Sequence, residues 1–258
     1  MTRFVKMQAS GNDYVYIDLT QSDVPFVAPA VDWIVRLCDR HFGVGADGVV
    51  YISNENGYHM RMYNADGSRG RICGNALRSI ASHLDDQYGV VFPIEIETDA
   101  GRVRIDKEMG ESTTRYSVAL GKARLVGIAD KDSTYPFFMV DVGNRHAVCQ
   151  AHKALLPRIA ERARLVGGWE GLNVETWQIL GVQSIAMQVI EHGTGRTLAC
   201  GSGATAVGFT ACHMGVCTYG IPIKVQMDGG LVEVVCHKDG AVRLIGEARV
   251  VYRGEYAD

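Results

Sequence analysis

The chain has 258 residues, enough for one large domain or two of about 130 residues, each with its own core. Hydrophobic residues make up 47% and charged residues 21%, the ordinary range for a globular protein. The net charge is −3, and the positive clusters are short and interrupted, so nucleic acid is not an expected partner. The longest apolar stretches fall short of a membrane span. The opening MTRFVKMQASGNDYVYIDL alternates like a strand and does not resemble a leader. No membrane partner and a cytoplasmic location are therefore expected. Seven cysteines, an odd number, occur without a C-x-x-C pair, which argues for reduced thiols and against a metal site.

In chain order the pattern is mixed α/β. RFVKM and YVYIDL read as strands around a turn at SGND. APAVDWIVRLCDRH has helical spacing and ends at the glycine-rich FGVGADG, from which VVYIS leaves as a strand. YHMRMYN alternates as a strand, GNALRSIASHLDDQYG reads as a helix stopped by Gly89, and IEIETDAGRVRIDKE is a hairpin around DAG. Residues 105–135 carry the weakest pattern and are the candidate crossover. The second half repeats the order. FFMVDVGNRHAVCQ is a strand carrying a turn, LPRIAERARLV a helix and SIAMQVIEHG a strand. GSGATAVGFTACHMG is a helix, and IPIKVQM and LVEVVCH are strands.

The repeat extends to single residues. Gly11-Asn12 has a counterpart in Gly143-Asn144, and Cys73-Gly74-Asn75 in Cys200-Gly201-Ser202, both offsets being near half the chain. A duplicated unit with pseudo-two-fold symmetry follows; the alternative is coincidence between glycine-rich turns. Each repeat sets a cysteine before a helix. There the unpaired N–H groups and the positive helix end are expected to favour thiolate and to bind a substrate carboxylate. Two such thiols suit inversion of a carbon: one face loses a proton while the other receives one. Small packed cysteines would look the same in isolation. Cys38, Cys149, Cys212 and Cys236 lie in apolar patterns and read as core.

NADGSRGRICGN followed by Arg78, and ACGSGA around Cys200, resemble the two cysteine motifs of the diaminopimelate epimerase family. KMQASGNDY, DRHFGVGADG, GNRH, GLNVE, MDGG and IGEA fall in the order that family shows, so the resemblance covers essentially the whole chain. It implies an α/β (α+β) fold of two similar domains, each a mostly antiparallel sheet wrapped around a central helix, with the site between them. The halves would be 1–116, joined by a C-terminal strand near 248–258, and 117–247. It also implies a reaction without metal or cofactor, an amino-acid substrate, a place in lysine and cell-wall precursor synthesis, and a possible homodimer. On matching positions Cys73 and Cys200 become the acid and base, and His146 and Glu191 tune their pKa values. Asn12, Asn64, Gly74, Asn75, Asn144, Asn173, Glu191, His192, Gly201 and Ser202 contact substrate.

One departure bears on substrate. The family reads E-R-G before its second motif, its arginine holding the distal carboxylate; here the stretch is Glu191-His192-Gly193, while Arg145 replaces a usual proline. Ala76, Ser79 and Ala147 are milder changes. A racemase of another amino acid, such as histidine, is the alternative substrate reading. A thiol-redox protein and a non-catalytic binding protein are the alternatives of other classes.

Overall fold

Ser10 and Gly11 both have positive φ, 55° and 81°, and between them close the first hairpin so that Ala9 faces Asn12. This is the two-residue connection that matches strand twist, and it makes Asn12 the first residue of its strand. The computed structural model describes residues 1–22, 26–110, 113–166 and 171–257. They form two compact units, Met1–Val118 with Glu247–Asp258, and Ala119–Gly246.

The first unit runs β1 (Thr2–Ala9), β2 (Asn12–Asp18), α1 (Val31–Cys38), β3 (Gly48–Asn54), β4 (Tyr58–Asn64), β5 (Arg69–Gly70), α2 (Gly74–Tyr88), β6 (Ile94–Thr98), β7 (Gly101–Met109) and β8 (Thr114–Lys122). The second takes in the end of β8 from Ala119 and continues β9 (Arg124–Ala129), β10 (Phe137–Asp141), β11 (Arg145–Gln150), α3 (Leu156–Val166), β12 (Asn173–Gly181), β13 (Ser184–Glu191), β14 (Gly195–Arg196), α4 (Gly201–His213), β15 (Ile223–Met227), β16 (Gly230–Cys236) and β17 (Ala241–Gly246). The last strand, β18 (Arg249–Tyr256), returns to the first unit beside β1.

The pairings repeat. In the first unit β18, β1, β2, β3, β4, β6, β7 and β8 lie side by side, antiparallel except for the parallel steps β2–β3 and β4–β6. In the second the order is β9, β10, β11, β12, β13, β15, β16 and β17, with parallel steps at β11–β12 and β13–β15. Each parallel step is bridged by a helix, as a crossover requires. The architecture is a mixed α/β fold built from two repeated halves.

Burial explains the sequence pattern. α2 is buried from Gly74 to Leu84 and α4 from Gly201 to Cys212 apart from Ser202, so each is a central helix with a sheet around it. α4 manages this with small residues: a Cβ on Gly208 would lie 3.2 Å from Val234 Cγ1. The outer helices α1 and α3 cover the opposite sheet faces through Ile34, Leu37, Ile159 and Ala163. β3 is therefore buried at six successive residues, a strand sandwiched on both faces.

Three segments differ from what local pattern alone conveys. The weak segment at 105–135 is where the chain passes from the first unit to the second, at Val118–Ala119, and it does so as strand: it holds the end of β7, β8 and β9, with Glu111 and Ser112 outside the described residues. β9 buries no residue fully and is held by its pairing with β10, so it leaves no hydrophobic signature. β12, NVETWQILG, lacks alternation because its first five residues are all buried. α1 ends at Cys38, earlier than its pattern suggests, because the Asp39 carboxylate accepts from the His41 and Phe42 N–H groups and turns the chain. Gly89 stops α2 as expected, in the left-handed region, its N–H bonding Asp85 O at 2.9 Å. Among the described residues no helix is long and apolar enough to cross a membrane.

The central helix carries the core of its unit, and Leu77 on α2 is wholly buried. Leu77→Ala is expected to lower the unfolding free energy by about 2–5 kcal/mol, read by chemical denaturation. A loss within the ~0.5 kcal/mol of a surface change would mean that α2 is not the centre of the core.

Candidate active site

Cys73 is the residue before α2, in extended conformation (φ −144°, ψ 117°). Its Sγ lies 3.4 Å from Asn12 Oδ1, to which the neutral thiol donates. Asn12 is fixed from both sides: its Nδ2 donates to Asp47 Oδ2 at 2.7 Å, and its Oδ1 also accepts from Asn75 Nδ2 at 3.3 Å. The Tyr14 hydroxyl is hydrogen-bonded to Cys73. Burial first, and then negative charge on Cys73, holds this phenol well above its ordinary pKa, so it remains a donor. Gly48 makes room for Tyr14, since a Cβ there would meet Tyr63 O at 2.1 Å and Tyr14 Cε1 at 2.9 Å. Asn64 ends β4 opposite Gly48, its Nδ2 donating to Ser68 Oγ at 2.9 Å.

Cys200 takes the same place before α4 (φ −131°, ψ 112°) with different neighbours. Gly203 N–H donates to its Sγ at 3.3 Å, and Ser202 Oγ lies 3.4 Å away. Asn144 Nδ2 donates to Ser202 Oγ at 3.2 Å, and Asn144 Oδ1 lies 2.9 Å from His146 Nε2. His146 Nδ1 in turn lies 2.6 Å from Glu175 Oε1, with both side chains wholly buried. Both ring nitrogens thus face oxygens, the Asn144 amide on one side and the Glu175 carboxylate on the other. Glu191 is hydrogen-bonded to Cys200 and to the Thr197 hydroxyl.

A thiolate at Cys200 is disfavoured, contrary to the expectation for a helix start. Burial, then the Glu191 and Glu175 carboxylates, raise the thiol well above its ordinary pKa; the Ser202 and Gly203 hydrogen bonds only partly oppose this. Desolvation likewise raises the Glu191 carboxyl. A helix end contributes only up to about 2 kcal/mol, less than the burial of a charge demands.

The sequence-selected residues thus fall into local groups. Cys73, Asn12 and Asn75 meet in the first unit, beside the first-turn N–H groups of Gly74 and Asn75, which have no partner within the helix. Cys200, Gly201, Ser202, Asn144, His146 and Glu191 meet in the second. Asn173 ties two further residues together: its Oδ1 accepts from His192 N at 3.0 Å and its Nδ2 donates to Arg145 O at 3.2 Å. Tyr14, Asp47, Glu175 and Arg78 stand in the quoted motifs but received no role from the sequence. Glu175 had a signal, a lone carboxylate in the apolar run NVETWQIL; Asp47 stood in the quoted GADG without a role. Among the described residues no group of three or more His, Cys, Asp or Glu could hold a metal ion.

Solved structures share this architecture over the full chain. They include a predicted epimerase from Pseudomonas aeruginosa (TM-score 0.77, 15% identity, all of both chains) and a probable proline racemase from Agrobacterium radiobacter (TM-score 0.71, 13% identity, 100% of this chain and 93% of that one). The fold is thus a two-half mixed α/β fold shared with these proteins. The family model described as diaminopimelate epimerase matches residues 4–126 and 137–251. The diaminopimelate epimerase of Leptospira biflexa is 32% identical over 98% of each chain, and that of Desulfovibrio desulfuricans 33% identical over 98% of each chain. This chain belongs to the diaminopimelate epimerase family and is an amino-acid epimerase.

The Glu191 carboxylate opposes thiolate at Cys200. Glu191→Gln is expected to move the Cys200 titration to lower pH by about one unit or more, measured by alkylation rate against pH at the Cys200 peptide. An unchanged or higher midpoint would remove Glu191 from control of this thiol.

Proposed function

We propose that the chain inverts the α-carbon of diaminopimelate with Cys73 and Cys200 as base and acid, one from each half. The observation that carries this reading is the repeated helix start with a thiol in unlike electrostatic surroundings. Two carboxylates hold Cys200 protonated, whereas the Tyr14 donor stands beside Cys73. Cys73 as thiolate removes the α-proton and becomes a thiol. The pair of electrons left on carbon is delocalised into the α-carboxylate, which the N–H groups of the first helical turns at Gly74-Asn75 and Gly201-Ser202 stabilise. Cys200 delivers its proton to the opposite face and becomes the thiolate. No proton is gained or lost overall, and the thiols have exchanged roles.

The amides complete the binding of an amino acid. Asn12 and Asn64 offer carbonyl and amide groups in the first half, Asn144 and Asn173 in the second. For the distal carboxylate, a guanidinium is the favoured partner because its planar fork bonds both oxygens. His192 lacks that fork. Asn173 holds the Arg145 carbonyl and the His192 N–H, which supports Arg145 as the residue that takes over the contact. The exposed apolar residues Val126, Ile128, Val251 and Tyr252 on β9 and β18 support a homodimer, and a cytoplasmic location belongs to the same reading.

The test is α-proton exchange in D₂O, followed by NMR under reducing conditions, with LL-diaminopimelate and the proteinogenic amino acids. Exchange is expected in diaminopimelate and lost in Cys73→Ala and in Cys200→Ala, both folded; retained inversion in either variant rejects the two-thiol mechanism. Arg145→Ala is expected to raise KM for diaminopimelate about ten- to a hundredfold, the worth of one charge-assisted contact. His192→Arg is expected to raise kcat/KM for the same substrate. A fall with His192→Arg, together with exchange in another amino acid such as histidine, would make His192 a working part of a different pocket.

A further inference from the structure

The largest buried charge in the first unit has no part in the chemistry above. Arg78, one turn into α2, is wholly buried, and among the described residues no carboxylate lies within ion-pair distance of it. Its Nη2 donates to Asn75 Oδ1 at 2.6 Å and to Ser10 Oγ at 3.4 Å; its Nη1 donates to the backbone oxygen of Glu247 at 3.0 Å. Its Nε has no hydrogen-bond partner among the described residues. An uncompensated cation in the interior is costly, and here it persists for lack of a pairing anion. Burial brings the guanidinium down to about 10, and Cys73, Tyr16 and Glu247 act against that fall.

The other charges around α2 are already matched. From β1 and β2, Lys6 pairs with Asp13 at 2.5 Å. Asp47, behind Asn12, pairs with Arg40 at 2.8 Å. Glu247, before β18, pairs with Arg249 at 2.8 Å. Further along the helix His83 lies 2.6 Å from Asp18, and Asp85 takes both Lys107 and the Tyr116 hydroxyl. Tyr14 and Tyr16 are buried phenols raised by that burial. The anion that the site lacks is therefore the one Cys73 forms when it loses its proton.

We infer that Arg78 is a positioning residue for the inversion, its guanidinium being the counter-charge of the Cys73 thiolate and its hydrogen bond to Asn75 locking the Asn75–Asn12 pair against the sulfur. The inference rests on the two-thiol reading and adds what sets the order of the two titrations. Asn12 Oδ1 opposes it, since it accepts the thiol proton and Asp47 prevents the amide from turning. Arg78, the Tyr14 hydroxyl and the helix start act the other way. Nothing equivalent to Arg78 accompanies Cys200: the sequence has Thr205 at the matching place, and Thr205 Oγ1 donates to its own helix at Gly201 O. Cys73 therefore gives up its proton first and Cys200 keeps its own.

The experiment follows iodoacetamide alkylation of Cys73 and Cys200 against pH by peptide mapping, alongside the pH profile of kcat/KM. Arg78→Gln retains hydrogen-bonding capacity without charge; it is expected to raise the Cys73 midpoint by about one to three pH units and to move the acid limb of kcat/KM with it. Arg78→Lys, which restores charge, is expected to bring both back toward the native values. A folded Arg78→Gln protein with the Cys73 midpoint unchanged overturns the inference, even if its activity falls. Should Arg78→Gln fail to fold, the unaltered protein decides: a Cys73 midpoint below that of Cys200 supports the inference and the reverse order overturns it. Failure of the underlying reading is separate, because it shows as retained α-proton exchange in Cys73→Ala.

Discussion

A residue that precedes a helix buried on every side is held as firmly as the core itself. α2 and α4 each start at such a cysteine, and each is enclosed by its own sheet through most of its length. The sulfur position is thus fixed by packing, at the one end of the helix where N–H groups stand free of intrahelical partners. Hydrogen bonds to Asn12 on one side and to Ser202 and Gly203 on the other then orient it. Two features that serve stability, a central helix and a short glycine-flanked entry, also leave N–H donors of the kind that the proposed reading assigns to an α-carboxylate.

Duplication alone would give two identical thiols, and identical thiols make a poor acid and base pair. The halves differ where it counts electrostatically. Position 14 is a phenol that reaches Cys73; its counterpart at 146 is an imidazole that pairs with Glu175. Asn64 closes β4, while Glu191 closes β13 and bonds Cys200. Position 78 carries a cation and its counterpart a threonine. Each change leaves the backbone repeat intact and shifts the cost of a charge on one sulfur, most of all at Cys200, which is buried where Cys73 is half-buried.

The repeat, the two helices with their glycine stop, and the two thiols were legible in the sequence, because periodicity and turn chemistry are local. What escaped is non-local. β9 is a strand because β10 lies beside it, and no residue within it announces that. β12 is buried at both faces, so its alternation is erased. Glu175 sits among Asn173, Val174, Thr176 and Trp177 as a single carboxylate; its meaning appears only when β11 brings His146 alongside. The direction of the Cys200 shift was also hidden, since a helix start is visible in sequence and the carboxylates that outweigh it are not.

Substrate choice rests on a different kind of contact from the chemistry. The thiols and helix starts address groups that every α-amino acid has, so they are compatible with several substrates. In the proposed reading discrimination falls to Arg145 and His192, both exposed and joined through Asn173. Because Asn173 grips only their backbone atoms, the two side chains can change without disturbing the β11–β12 register that places His146 and Glu175. On that reading the scaffold separates what reacts from what is recognised: the thiols are set at the ends of core helices, and the recognising groups are carried on strand ends. On the same reading, a guanidinium at 145 serves in place of one at 192 without rebuilding the site.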